Sequence, residues 1–463
     1  MLNPEIANKV IDHALSNGAS FCDIFVEKNH ASTIQILSSE VNEIQSGIDF
    51  GIGIRLVYGT DVVYGYTNSL DQNDLIGLTQ NLATLYKDKN SPQAEAIKFK
   101  LQSPTDLHPT KLDLDSEVPL DDKVRYYLKV DKWAREESEK IGQVNVRGIQ
   151  RKQEVEIFNS EGLAIADTRN YIRVGMMVIA QDGAEQQSAF EGPGGLLGWE
   201  FTNNFDIKSS VKDVARTALI KLDAKACPGG KLPVIIDNGF GGVIFHEACG
   251  HLLETTSVAK KASVFHDKMG EMIASNVLSA VDDGTIKNEW GSINIDDEGM
   301  ETQKTQLIKD GKLTAFLSDR IGAEKVGVPR SGSARRQNYK FAPASRMRNT
   351  YIESGNDSFE DMVQSIEHGI YCKKMGGGSV LPGTGEFNFA ADESYLIENG
   401  KITDPLKSAT LIGKGSEILT KISMISDNLK LTPGMCGSVS GAVPTTVGQP
   451  AIKVDEILVG GQS

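Results

Sequence analysis

A chain of 463 residues is too long for one ordinary compact domain and long enough for two or three, each with its own core. Its 40% hydrophobic and 24% charged residues suit a soluble globular protein, with nowhere the roughly 18 uninterrupted apolar residues of a membrane span. The net charge of −14 argues against a nucleic-acid backbone or an anionic membrane as partner, because like charges repel.

The opening residues MLNPEIANKVIDHALSNGAS have neither the basic start nor the apolar core of a leader, so a cytoplasmic protein is expected. Pro4 begins an apolar stripe of Ile6, Val10, Ile11, Ala14 and Leu15, which predicts a helix ending at Asn17-Gly18. The alternating stretches CDIFVEK, STIQILSSEVNEIQS, FGIGIRLVYG and DVVYGYTN predict an antiparallel sheet with a hairpin turn at Tyr58-Gly59-Thr60-Asp61. NDLIGLTQNLATLYKD predicts a further helix, so residues 1–88 read as a helix-flanked antiparallel sheet. The stretch 89–119 has four prolines and no sustained period, and reads as a connecting segment.

Residues 120–225 read again as helix, strands, helix, a central α/β segment whose order hints at duplication. From Ala226 onward glycines concentrate, and KLPVIID predicts a buried strand running into GGVIFHEACGHLLE. Residues 226–463 are therefore expected to form a glycine-rich mixed domain that carries the chemistry, and the whole chain an α+β protein. Within it Asn399-Gly400 predicts a hairpin turn. The run KKMGGGSVLPGTGEFNF lacks the Gly-x-x-x-x-Gly-Lys-Ser/Thr of a phosphate loop and reads as a flexible substrate-side loop.

The motif His246-Glu247-Ala-Cys-Gly-His251 is one residue longer than the His-Glu-x-x-His of many zinc peptidases. A helix from about Gly241 to Leu253, capped by Asp237 or Asn238, would carry it. At about 100° per residue, a spacing of five leaves the two imidazoles roughly 140° apart, so a single π-type turn eased by Gly250 is expected between them. A catalytic zinc takes three protein ligands. For the third, Cys249, Glu254, His266, Glu289 and Cys436 stand open. Five cysteines in an odd, scattered set do not read as a disulfide framework. Cys249 reads as core packing, Glu254 and His266 as a solvated face, Glu289 as a minor option, and Cys436 lies in the irregular glycine-rich LTPGMCGSVSGAVPTTVGQP.

HEACGHLLE, followed in order by IDDEG, GKLTAFLSDR, SARRQNYKFAPASRMRNTYIESG, GEFNFAADESYLIENGKITDPLKSATLIGKG and GMCGSVSGAVPTTVGQPAIKV, resembles the TldD/PmbA family, and within it the metal-bearing TldD type. The resemblance spans essentially the whole chain and implies a zinc peptidase with His246, His251 and Cys436 as metal ligands and Glu247 as general base. It also implies pairing, as a homodimer or with a related TldE/PmbA-type subunit, around an enclosed site that takes unfolded or short peptides. For the oxyanion of the tetrahedral intermediate, the basic run SARRQNYKFAPASRMRNTYI offers Arg346 and Tyr339. Two rival expectations remain: a non-catalytic zinc-containing binding subunit, and a zinc amidohydrolase acting on a small molecule.

Overall fold

The computed structural model describes residues 2–86, 98–114, 118–381, 384–407 and 409–461. The architecture is mixed α+β, as the patterning predicts. The first helix, Pro4–Ser16, starts with Asn3 accepting from the Glu5 amide and stops at Asn17, and it buries Ala7, Val10, Ile11, Ala14 and Leu15. The stretches predicted as four strands form three: Phe21–Leu37, Glu40–Tyr58 and Asp61–Thr67. The turn between the first two is Ser38-Ser39, both at positive φ (51° and 68°), inside a run read from sequence as one strand. The turn after Tyr58 falls where Gly59 predicts it.

The central segment repeats this order, with the helix Leu120–Arg135, the long strands Ile141–Asn159 and Leu163–Asp182, a shorter strand Glu185–Glu191, and the helix Ile207–Leu222. The two halves share one sheet. Phe21–Leu37 pairs antiparallel with Ile141–Asn159 from Asp23↔Asn159 to Leu37↔Asn145, so eight strands run continuously across both segments.

Beyond Ala226 the chain builds two further large sheets and a two-stranded one, Ala334–Arg335 with Ala344–Ser345. In one, the strands His368–Leu381, Gly230–Ile236, Ile452–Gly460, Thr410–Lys414 and Glu386–Glu398 close on themselves as a small barrel, because the first and last also pair. The glycine run expected as a loop is strand here, interrupted by register shifts between Met375 and Gly378; residues 382 and 383 lie outside the described residues. The Asn399-Gly400 turn forms with both residues at positive φ. The other sheet has six strands, ending in the pair Gly441–Gln449 and Lys430–Ser438, with Lys430–Ser438 at its outer edge.

One large core lies between these sheets and encloses Phe245, Ala248, Cys249, Leu252 and Leu253 together with Val234, Phe387, Val443 and Val447. Two buried polar lattices fasten the segments together. Arg55 bridges Asp23 on its own sheet and Glu298 of the C-terminal region, where its Nη1 lies 2.8 Å from Oε1. On the other flank Glu393 accepts from Arg216 (3.0 Å) and Thr217 (2.9 Å) of the Ile207–Leu222 helix and from Lys373 (3.0 Å) and Tyr395 (2.6 Å). Burial alone would raise the Glu393 carboxyl, but these donors outweigh it and hold it at about 2.

Candidate metal centre

The strand Gly230–Ile236 leads into a 3-10 turn, Gly239–Gly242, and a short helix, Val243–Ala248. Neither Asp237 nor Asn238 caps it: the Asp237 carboxylate receives the Tyr371 hydroxyl, and the Asn238 amide donates to the Asn428 carbonyl at 2.9 Å. The helix needs no amphipathic stripe, since it is surrounded by core; Glu247 is the one residue of it that is not buried. Gly242 makes the packing possible, because a Cβ there would stand 2.5 Å from the Gly448 carbonyl oxygen. The motif helix thus lies directly against the strand that pairs with Lys430–Ser438.

The spacing problem is solved by a break rather than a π-type turn. The helix stops at Cys249 (φ −129°, ψ −52°) and a 3-10 turn, Gly250–Leu253, follows. The change of winding re-aims His251 toward His246. Gly250 serves close packing at this break, since a Cβ would stand 2.2 Å from the Met347 sulfur.

Cys436 comes from the other side. The segment read as irregular is a regular hairpin, in which Cys436 faces Val443. Its Sγ lies 3.2 Å from His246 Nε2 and 3.2 Å from His251 Nε2. The three ligand atoms lie within 4.8 Å of one another. A tetrahedral zinc bound at about 2.0 Å by nitrogen and 2.3 Å by sulfur would set each N···S separation near 3.5 Å, so the donors stand close to coordination spacing. Burial would raise the Cys436 thiol, but the charge and hydrogen bonds of His246 and His251 pull it well below the ordinary range, toward the thiolate that binds metals. Burial would lower His251, and the Glu254 charge with bonds to Cys436 and Glu254 raises it well above the usual histidine value.

Glu247 reaches the same place, with its carboxylate 3.8 Å from His251 Nε2 and its side chain 27% exposed. The other candidates fall outside the cluster. Cys249 is fully buried in the apolar core, where burial pushes its thiol up. The His266 Nδ1 donates to the Ser263 carbonyl at 2.9 Å, and Glu289 is half-buried beside Trp290. Arg346 is fully buried and donates to the Cys436 and Gly441 carbonyls and to Ser440 Oγ, which makes it a brace of the hairpin. Tyr339 lies elsewhere: its amide donates to Glu27 at 2.7 Å and its hydroxyl to Asp49 at 3.2 Å, both on the N-terminal sheet. Its bonds thus join two segments of the fold, and they supply no donor beside the three ligands.

Glu254 is the residue that sequence reasoning placed on a solvated face. It is 1% exposed and its Oε2 lies 3.0 Å from His251 Nδ1. The spacing of three held the signal, because residues i and i+3 eclipse in a 3-10 turn; a continuous helix was expected there.

Comparison with known proteins places the whole chain in one family. Family models described as PmbA/TldA metallopeptidase domain 1, central domain and C-terminal domain match residues 22–84, 113–222 and 229–461. The chain is 34% identical to the metalloprotease TldD homolog of Haemophilus influenzae over 99% of this chain and 97% of that one. It is 27% identical to the zinc metalloprotease TldD homolog of Saccharolobus solfataricus over 98% and 99% of the two chains. The crystal structure of TldE from Thermococcus kodakarensis has the same fold, with a TM-score of 0.79 and 19% identity across 98% of this chain and all of that one. The chain therefore belongs to the PmbA/TldD family of metallopeptidases.

Proposed function

We propose that the protein is a zinc-dependent peptidase in which His246, His251 and Cys436 hold the ion and Glu247 is the general base. The observation that carries this reading is the convergence of two imidazoles and one thiolate with no fourth His, Cys, Asp or Glu in the cluster among the described residues. A structural zinc site is normally closed by a fourth protein ligand, whereas a catalytic one keeps a position for water, which speaks against the non-catalytic rival. When bound, zinc supplies Lewis-acid polarisation of the scissile carbonyl and a water acidic enough to be used near neutral pH.

Glu247 accepts the proton of the attacking water and passes it to the departing amine. Its partial exposure in an otherwise buried helix marks the side from which substrate arrives. Lys430–Ser438, which carries Cys436, is the outer strand of its sheet, so an extended peptide can pair beside it through main-chain hydrogen bonds. That favours a peptide, unfolded or short, over the small molecule of an amidohydrolase. Pairing with a second TldD- or TldE-type subunit and a cytoplasmic setting belong to the same proposal; among the described residues no helix is long and apolar enough to cross a membrane.

The test offers one stable domain in its folded and its denatured, alkylated forms, with and without chelator, to protein of measured metal content. Chelator-sensitive cleavage of the denatured form alone is expected. Equal cleavage of both forms would overturn selectivity for unfolded chains, and cleavage insensitive to chelator would overturn the metal mechanism.

A further inference from the structure

The two histidines of the centre are held differently. His246 Nδ1 is buried without a hydrogen-bond partner among the described residues, so no group behind the ring directs it. His251 has Glu254 behind it, at 3.0 Å from Nδ1. A carboxylate there keeps the proton on Nδ1 and leaves the Nε2 lone pair facing Cys436.

The second Glu254 oxygen accepts the Met347 amide at 3.3 Å and stands 3.9 Å from Arg346 Nε, which is buried and has no hydrogen-bond partner among the described residues. The same guanidinium donates to the Cys436 carbonyl, to Ser440 Oγ at 3.0 Å and to the Gly441 carbonyl at 2.7 Å. One carboxylate and one guanidinium thus connect the 3-10 turn bearing His251 to the hairpin bearing Cys436, elements 185 residues apart in sequence. No shared sheet hydrogen bond joins them among the pairings described.

We propose that Glu254 and Arg346 are positioning residues of the metal centre, Glu254 setting the tautomer and direction of His251 and Arg346 tying the Cys436 hairpin to the same carboxylate. The proposal rests on the reading of His246, His251 and Cys436 as ligands, and not on peptidase activity. Its chemistry is that of a ligand histidine backed by a carboxylate, where loss of the backing group commonly weakens metal binding by 10–100-fold.

The experiment titrates zinc into metal-free parent, E254Q, E254A and R346M proteins against a chromophoric chelator, with melting temperature measured on each metal-free protein. E254A is expected to bind zinc roughly 10–100-fold more weakly. E254Q should lose less, since its amide oxygen still accepts from Nδ1 but without charge. R346M should weaken binding on its own, and the R346M/E254Q double variant should lose less than the two single losses combined, because both act through one carboxylate. Nitrogen NMR of labelled histidine in the zinc-loaded protein reads the His251 Nδ1–H directly, with a strongly hydrogen-bonded signal expected in the parent and a weaker one in E254Q. Should E254A fail to fold, E254Q and R346M carry the test. Parent-like zinc affinity in both would overturn the proposal, as would losses that only track lower melting with the His251 Nδ1 signal unchanged. If the affinities fall as expected while no variant nor the parent cleaves peptides, the peptidase reading fails and this one stands.

Discussion

The Glu247 carboxylate lies 3.8 Å from His251 Nε2, on the one residue of the motif helix that reaches solvent. A carboxylate so placed lies beside one of the three donors without joining their cluster. E247Q is therefore expected to keep zinc near one ion per chain while hydrolysis falls by about 10²–10⁴-fold, the usual contribution of a general base. Metal analysis beside peptide turnover checks it; turnover within about tenfold of the parent would remove Glu247 from that role.

Cys436 and Cys249 should separate cleanly. Both are buried, but Cys436 touches two imidazoles, whereas burial in apolar core pushes the Cys249 thiol up. C436A is expected to lower zinc affinity sharply, and C249A to leave it unchanged at a small cost in stability. In the metal-free protein Cys436 should react with an alkylating reagent once denaturant opens the core, and bound zinc should slow that reaction. Zinc loss in C249A but not in C436A would assign the ligand to the other thiol.

Gly242 sets the distance between the two halves of the centre. A methyl group there meets the backbone of Gly448, 2.5 Å from its carbonyl oxygen, and backbone in a paired strand has little room to yield. G242A should destabilise by about 1–3 kcal/mol, as overpacking does. It should also weaken zinc binding, because relief comes by moving His246 away from Cys436. Denaturation midpoints and zinc titration read the two effects; an unchanged value of both would show that this contact does not place the helix.

Glu393 predicts a pH dependence. Its folded value of about 2 lies below the usual carboxylate value of about 4.3. A depressed carboxylate stabilises fully above its unfolded value, and the contribution is lost as pH falls from about 4.3 toward about 2. Parent and E393Q should therefore differ in urea midpoint by a constant amount from pH 5.5 to pH 8 and converge below about pH 4. A difference that persists unchanged to pH 3 would show that the interaction of Glu393 is not that of an ionised carboxylate.

Much of the fold was legible where a local rule and the tertiary demand coincide. The Pro4–Ser16 helix, the Gly59 turn and the Asn399-Gly400 turn each follow from residues that suit one backbone conformation. The Ser38-Ser39 turn was not legible, since serine at positive φ has no marker in the chain and tertiary pairing imposes it. The residues that cluster were readable because rare types compose the cluster: His246 and His251 are two of seven histidines and share one short motif, and Cys436 is one of five cysteines. Its geometry was not. Whether five residues are bridged by a π-type turn or by the break at Cys249 depends on what packs around them, and the Glu254 contact follows only once that break is known. The choice of Arg346 as an oxyanion donor rested on charge alone, and charge does not say that a guanidinium is walled in against a hairpin.

The distance along the chain between His251 and Cys436, 185 residues, also orders events during synthesis. A nascent chain shows the histidine motif to the cell long before the thiol emerges, and the hairpin that presents it follows most of the barrel. Two imidazoles without the thiolate leave the proposed site short of its third ligand. The protein's own unfolded segments are therefore past their most exposed stage when that ligand arrives. Late assembly of the proposed centre would keep the newborn chain from acting on its own unfolded segments.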